Sequence, residues 1–301
     1  MKVGLIDLEP KIVNTANMQI AAYHKNKGDT IEWWTPLEHR GFSVVYCSSL
    51  FDYTDKSDIP DDVICGGTGF DVTSRLSRAM EDCDYDYSIY PKCRKSIVWF
   101  SRGCPRKCPW CVVPKKEGNI HTVRLKGLNP KGKYIVVQDN NFFANPDWEK
   151  AIRMLIITGQ PVDFQGVDVR ILNKRQIIYL AAMPHYKQIK IAWDITKEEK
   201  KIMAGIKRLT KYVKPYKLMC YVLIGYDSSE EQDLHRVETL RSLGIDPFVM
   251  PYDRSDLYQR SFARWVNHKA IFKKVPWEDY RSRVLKQETE GAGWNLLRRG
   301  V

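Results

Sequence analysis

The chain has 301 residues, 44% hydrophobic and 28% charged, the composition of a globular protein with one large domain or two. No run of about 18 apolar residues occurs, which excludes a membrane-spanning helix, and Met1-Lys2 leads straight into an apolar strand instead of a signal peptide. With 48 Lys+Arg against 36 Asp+Glu the formal charge is +12, a surplus that favours polyanionic partners, although a basic solvated surface explains it equally well.

The first ninety residues read as a small α/β unit. Lys2–Asp7 is a short strand, residues 17–27 an amphipathic helix ending near Gly28, and residues 31–34, 43–47 and 62–65 are further strands. The last runs into Gly66-Gly67-Thr68-Gly69, which suits a tight turn as well as a phosphate cradle. Acidic residues collect here, from Asp52 to Asp62 and from Glu81 to Asp86. The pattern predicts a doubly wound, Rossmann-like domain over residues 1–92.

Next comes Arg102-Gly103-Cys104-Pro105-Arg106-Lys107-Cys108-Pro109-Trp110-Cys111, with the cysteine spacing C-x3-C-x2-C. Three thiolates so placed can hold three irons of a [4Fe–4S] cube, whose usual complement is four, leaving one iron open. Structural zinc prefers paired C-x2-C units with four ligands, and no second pair follows. A disulfide framework belongs to small secreted chains, whereas the other cysteines here are scattered (Cys47, Cys65, Cys83, Cys93, Cys220), as suits a reducing cytoplasm. Pro105, Arg106, Lys107 and Pro109 form the loop and supply positive charge.

From there, apolar β-rich runs start near Ser96, Lys133, Val162, Gln188, Leu218 and Pro247, at intervals of 37, 29, 26, 30 and 29 residues. Each interval holds a strand plus a crossover helix, the signature of parallel βα units, and the segments from Trp148 and Asp233 carry helical apolar spacing. Six units predict an open or partial (βα)6 barrel over residues 93–253. Chemistry in such folds gathers where strands end. Those ends read Gln138-Asp139-Asn140-Asn141, Gln165-Gly166-Val167-Asp168-Val169-Arg170, Trp193-Asp194, Ile224-Gly225-Tyr226-Asp227 and Pro251-Tyr252-Asp253. Helix caps and turns also favour Asp and Asn, a role that suits Asp139 and Asp227.

Residues 254–301 form a basic, aromatic extension. Arg254, Arg260, Arg264, His268, Lys269, Lys273, Lys274, Arg281, Arg283, Lys286, Arg298 and Arg299 alternate with Tyr258, Phe262, Trp265, Phe272, Trp277, Tyr280 and Trp294. Such a stretch can bind phosphates and stack on bases. The helical spacing of Phe262, Trp265, Lys269 and Phe272 equally predicts helices that dock their aromatic face and turn the basic residues outward.

The cysteine run, with an aromatic residue before its third cysteine, resembles the cluster loop of the radical S-adenosylmethionine (radical SAM) superfamily. The N-terminal unit ahead of it resembles the cobalamin-binding-domain-like members of that superfamily. The resemblance implies a fold consisting of a partial TIM-type (βα)6 barrel behind a small doubly wound α/β domain. It implies that Cys104, Cys108 and Cys111 ligate a single [4Fe–4S] cluster, whose open iron binds the amino and carboxylate groups of SAM. An electron from the cluster, delivered by a donor such as a flavodoxin or ferredoxin, then cleaves SAM to start hydrogen abstraction. It further implies that Trp110 lies near adenine or covers the cluster, and that Asp139, Asn140 and Asn141 receive the SAM amino group. Gln165, Asp168, Arg170 and Asp194 would line the ligand, with Asp168 on ribose hydroxyls and Arg170 on the carboxylate. Ile224 and Gly225 would contact adenine, and Tyr252 would close the set.

The family's cobalamin motif D-x-H-x-x-G is missing, since the stretch reads Asp7-Leu8-Glu9-Pro10-Lys11-Ile12. Some cobalamin-dependent relatives lack that histidine, so cobalamin stays open, with a scaffold role preferred. A second cluster on Cys47, Cys65 and Cys83, as in methylthiotransferases, does not match that family's placement in the first strand–loop. The expected substrate is a base in RNA or DNA. A radical SAM enzyme acting on a peptide or small metabolite is the alternative, and a non-catalytic nucleic-acid-binding protein holding zinc or a structural cluster is a third reading. No residue reveals the reaction that follows abstraction.

Overall fold

The computed structural model describes residues 1–282, and the chain divides into two compact units, Met1–Gln165 and the remainder from Gly166. Both are mixed α/β, and their main sheets are parallel.

The first unit opens with strands β1 (Lys2–Asp7), β2 (Thr30–Trp33), β3 (Val44–Ser48) and β4 (Ile64–Gly66), in the order β2-β1-β3-β4 and all parallel. The order reverses at β1, which puts a crevice outside the carboxyl ends of the strands. Helix α1 (Thr15–Asn26) crosses between β1 and β2. Asn14 caps it by accepting from the backbone N–H groups of Ala16 and Asn17, and Met18, Ile20 and Ala21 are buried. The short helix α2 (Arg78–Glu81) follows, capped by Ser77.

A second parallel sheet of the same unit holds β5 (Lys95–Val98), β8 (Tyr134–Val137) and β9 (Val162–Phe164), in the order β5-β8-β9. Ile135, Val136 and Val137 are at most 5% exposed, the near-continuous apolar run expected of a parallel strand covered on both faces. Between β5 and β8 lie β6 (Ser101–Arg102) and β7 (His121–Thr122), a short antiparallel pair, with the one-turn helix α3 (Val113–Lys116) in the loop they enclose. Helix α4 (Trp148–Thr158) links β8 to β9, burying Ala151, Ile152 and Leu155 and ending at Gly159 in the left-handed region.

The second unit begins with α5 (Lys174–Ala182), closed at its start by a reciprocal Asn173–Gln176 capping box. Strands β10 (Ile189–Ala192), β11 (Leu218–Ile224) and β12 (Asp246–Pro251) form a parallel sheet in chain order. The crossovers are α6 (Glu199–Leu209) and α7 (Glu230–Ser242), the latter started by a Ser229–Gln232 capping box with Glu230, Glu231 and Asp233 in its first turn. The six strands thus begin within about one residue of each expected start, and they form two separate three-stranded sheets, each in chain order.

Helices α8 (Leu257–Asn267) and α9 (Lys269–Lys274) follow β12. Phe262 and Trp265 are fully buried, and Phe272 and Trp277 are 5% and 6% exposed, with ring centroids 4.9–5.4 Å apart. The aromatic face is therefore core, while Arg254, Arg260, Arg264, Lys269, Lys273, Lys274 and Arg281 are exposed. Of the expected basic tail, Arg283, Lys286, Trp294, Arg298 and Arg299 lie outside the described residues. Among the described residues no helix is long and apolar enough to cross a membrane.

Candidate functional site

The three-cysteine run is the body of a loop whose two ends meet. Ser101 pairs with Thr122 and Arg102 with His121 across β6 and β7. One residue further in, Gly103 N–H donates to Glu117 Oε2 at 2.9 Å, and Cys104 N–H donates to the Gly118 carbonyl at 3.3 Å. Gly103 adopts φ +77°, and a Cβ there would sit 2.3 Å from the Asn119 carbonyl oxygen. Only glycine lets the two strands of this neck come so close.

Glu117 holds the neck together. Its Oε1 pairs with the Arg102 guanidinium at 2.9 Å, and its Oε2 also accepts from Asn140 Nδ2 at 2.6 Å. The carboxylate is 6% exposed, so these donors stand in for the water it has lost. Arg102 in turn lies 3.9 Å from the ring centre of Trp99. No sequence motif pointed to Glu117; the only cue is its place one residue before Gly118, where the loop turns back.

Asp139, 1% exposed, is the second support. Its Oδ1 accepts from Phe100 N–H at 2.9 Å and its Oδ2 from Ser101 N–H at 2.7 Å and Ser101 Oγ at 2.5 Å. Burial pushes its carboxyl above the usual range, and these donors oppose the rise. Asp139 therefore ties the end of β8 to the segment entering the cysteine loop. Asn140 is engaged with Glu117, as above.

Within the loop, Cys104, Cys108 and Cys111 are all half-buried, and Trp110 is half-buried beside them. Cys104 Sγ accepts from the Arg106 backbone N–H at 3.4 Å and lies 3.9 Å from Asn141 Nδ2. Cys111 N–H closes a turn on the Cys108 carbonyl at 3.0 Å. Asn141 is 3% exposed, and its Oδ1 is buried without a partner. Among the described residues no group of three or more His, Cys, Asp or Glu side chains is gathered as a metal-ion site. A cube bound through three thiolates puts each sulfur on a different iron, which spreads the ligands more widely than one ion does. The donor set on this loop is three thiols with amide donors directed at one of them, and its chemistry fits such a cluster. Gln165 stands just past β9, where its N–H donates to the Val137 carbonyl at 3.0 Å.

Cobalamin fares differently. Glu9 fills the loop after β1, where its Oε1 accepts from Ser49 Oγ at 2.9 Å, Leu50 N–H at 3.2 Å and Thr54 Oγ1 at 2.7 Å. Asp7 accepts from Tyr90 Oη at 2.9 Å. No imidazole stands in this loop, so it offers no histidine ligand to a corrinoid cobalt.

The remaining candidates belong to the second unit. Asp168 and Arg170 form a fork, Nε to Oδ1 at 2.6 Å and Nη2 to Oδ2 at 3.0 Å, and Arg170 Nη1 pairs with Glu198. Both edges of the guanidinium are engaged, so a ligand carboxylate would have to displace Asp168 or Glu198. Asp194 accepts from Leu223 N–H at 3.2 Å. Its carboxyl is pushed above the usual range by burial, against the pull of Arg236 and Arg170.

Ile224 is fully buried, and Gly225 has φ +78° with the Gln259 side chain where a Cβ would be. Tyr252 N–H donates to the Ile224 carbonyl at 3.1 Å, and the rings of Tyr226 and Tyr252 stand 5.0 Å apart, both exposed. Two groupings thus emerge in this unit, the carboxylate–guanidinium cluster and the Ile224–Gly225–Tyr252 turn. A scan of the chain against protein-family models finds no match, and no curated protein matches it.

Proposed function

We propose that the chain is a radical SAM enzyme acting on a base of RNA or DNA, with Cys104, Cys108 and Cys111 holding a [4Fe–4S] cluster. The observation that carries this reading is one loop bearing three half-buried thiols, pinned by Glu117 and Asp139 beside the carboxyl ends of parallel strands. With it goes the partial (βα)6 barrel as the fold, behind a small doubly wound domain. When bound, the cluster supplies an electron that cleaves SAM and so starts hydrogen abstraction.

The chain's own residues do the holding. Gly103 and Glu117 fix the neck so that the thiols need little ordering when iron arrives, and the amide of Asn141 offers an N–H to Cys104. An electron donor of flavodoxin or ferredoxin type completes the partners.

A second substrate class, a peptide or small metabolite, is favoured by one observation. Phe262, Trp265 and Phe272 of α8 and α9 are buried and Tyr258 is half-buried, so that surface offers cations with few rings for bases to stack on. Anaerobic reconstitution with iron and sulfide tests the main reading. A brown protein with about four irons per chain that releases deoxyadenosine from SAM after reduction supports it, and a colourless, zinc-loaded protein overturns it. Salt-sensitive retention of oligonucleotides then separates the two substrate classes.

A further inference from the structure

The first unit contains a cleft of about 380 Å³ at the carboxyl ends of β3 and β4, within the range of small-ligand sites. Its lining includes three cations from separate segments, Arg75, Arg102 and Lys116, against a single carboxylate, Glu81. Lys116 Nζ donates to Thr68 Oγ1 in the glycine turn after β4. Burial lowers the Lys116 pKa first, and the nearby Arg102 and Arg75 lower it further, against Glu117. Cations crowded into a half-enclosed space repel one another, and a bound anion relieves that cost.

The backbone has the same polarity. Thr15 and Ala16, in the first turn of the twelve-residue helix α1, line the cleft and bring the positive end of the helix to it. Gly67 has φ +94°, and a Cβ there would sit 2.5 Å from the Ser49 carbonyl oxygen. Gly66, Gly67 and Thr68 of this turn line the cleft, and the two glycines put no side chain into it. Part of the wall is apolar, formed by Ile20, Tyr46, Leu76 and Met80, which belong to one packed cluster.

We propose that this cleft binds a mononucleotide, its phosphates held by Arg75 and Lys116 and its ring laid on the Tyr46–Met80 wall. A bare phosphate would leave the apolar wall unused. A polynucleotide needs a track open at both ends, not a single crevice. The site is formed within the first unit and does not rest on the reading of the cysteine loop.

Calorimetric titration of the full chain with adenosine diphosphate and with inorganic pyrophosphate tests the proposal. The diphosphate nucleotide should bind more tightly than pyrophosphate and weaken with added salt. It should lose roughly tenfold or more in affinity in Arg75→Gln and in Lys116→Gln, as expected for loss of a charge-assisted contact. Arg75 is exposed, so Arg75→Gln should fold normally, and it should take up iron and sulfide like the parent chain. No binding of the nucleotide at millimolar concentration overturns the proposal, as does equal affinity in Arg75→Gln. Tighter binding of pyrophosphate than of the nucleotide overturns the ring assignment. Retention of a single-stranded oligonucleotide that depends on Arg75, without nucleotide binding, assigns the cleft to a polynucleotide instead.

Discussion

The Glu117 carboxylate accepts the backbone N–H of Gly103 across the neck of the cysteine loop, at 2.9 Å, while also pairing with Arg102. The two residues are fourteen apart in sequence, so this bond joins the β6–β7 pairing in closing the loop that carries all three candidate ligands. Replacing Glu117 with Ala strands a buried backbone donor, the Arg102 guanidinium and the Asn140 amide together. We expect a loss of about 2–4 kcal/mol in unfolding free energy, read by urea denaturation of the metal-free protein. Glu117→Gln keeps one acceptor and should lose less. The iron content after reconstitution should fall in the same order. Unchanged denaturation midpoints for both variants would show that the neck closes without Glu117.

Gly103→Ala tests the same neck through the backbone alone. A side chain at φ +77° is strained, and its Cβ meets the Asn119 carbonyl oxygen at 2.3 Å. The left-handed conformation costs about 1–2 kcal/mol for a non-glycine residue, and relieving the clash forces the neck open. We expect a destabilisation of about 2 kcal/mol or more and faster amide hydrogen exchange from Gly103 to Gly118. Exchange rates equal to those of the parent chain would contradict the close approach.

The sequence reveals the strands more readily than the site. Parallel strands buried on both faces read as apolar runs, so Ile135–Val137 and Leu218–Ile224 are visible without any tertiary knowledge. The first-unit helix, expected over 17–27, begins at Thr15 because Asn14 is the cap, a signal masked by the polar stretch around it. The cysteine spacing is legible because ligand geometry constrains local sequence. Glu117 is not, because its three partners are brought to it by β6, by the glycine turn and by the end of β8. Asp139 is a similar case: a polar residue at a strand end looks available to a ligand, yet its oxygens are occupied by Phe100 and Ser101. The aromatic spacing from Phe262 to Phe272 fits both a stacking surface and a docked helix, and only burial separates the two.

Arg170 offers a prediction in the second unit. Its guanidinium sits between Asp168 and Glu198, whose side chains are 8% and 20% exposed. Arg170→Ala leaves two partly buried carboxylates facing each other, and we expect a loss of about 3 kcal/mol or more in stability. Arg170→Lys cannot reproduce the fork and should recover only part of it. If the residue also takes a ligand carboxylate, Glu198→Gln should tighten SAM binding by freeing one edge of the fork, measured by equilibrium dialysis. Weaker binding in Glu198→Gln would mean that the cluster is needed intact.

Asp194 links the buried interior of the second unit to pH. Burial raises its carboxyl above the ordinary value, and the Leu223 N–H, Arg236 and Arg170 pull the other way, with Asp168 adding repulsion. An acid whose pKa is higher in the folded chain binds its proton more tightly there than when unfolded. Its contribution is therefore fully present below the unfolded value near 3.8 and is lost as the pH rises through the folded value. Asp194→Asn does not titrate, so its stability relative to the parent chain should improve as the pH rises from about 4 towards the folded value and level off above it. Urea unfolding of both proteins across that range measures the difference directly. A relative stability that falls with rising pH would mean that the carboxylate is favoured by folding, with Arg236 and Arg170 outweighing the loss of water around it.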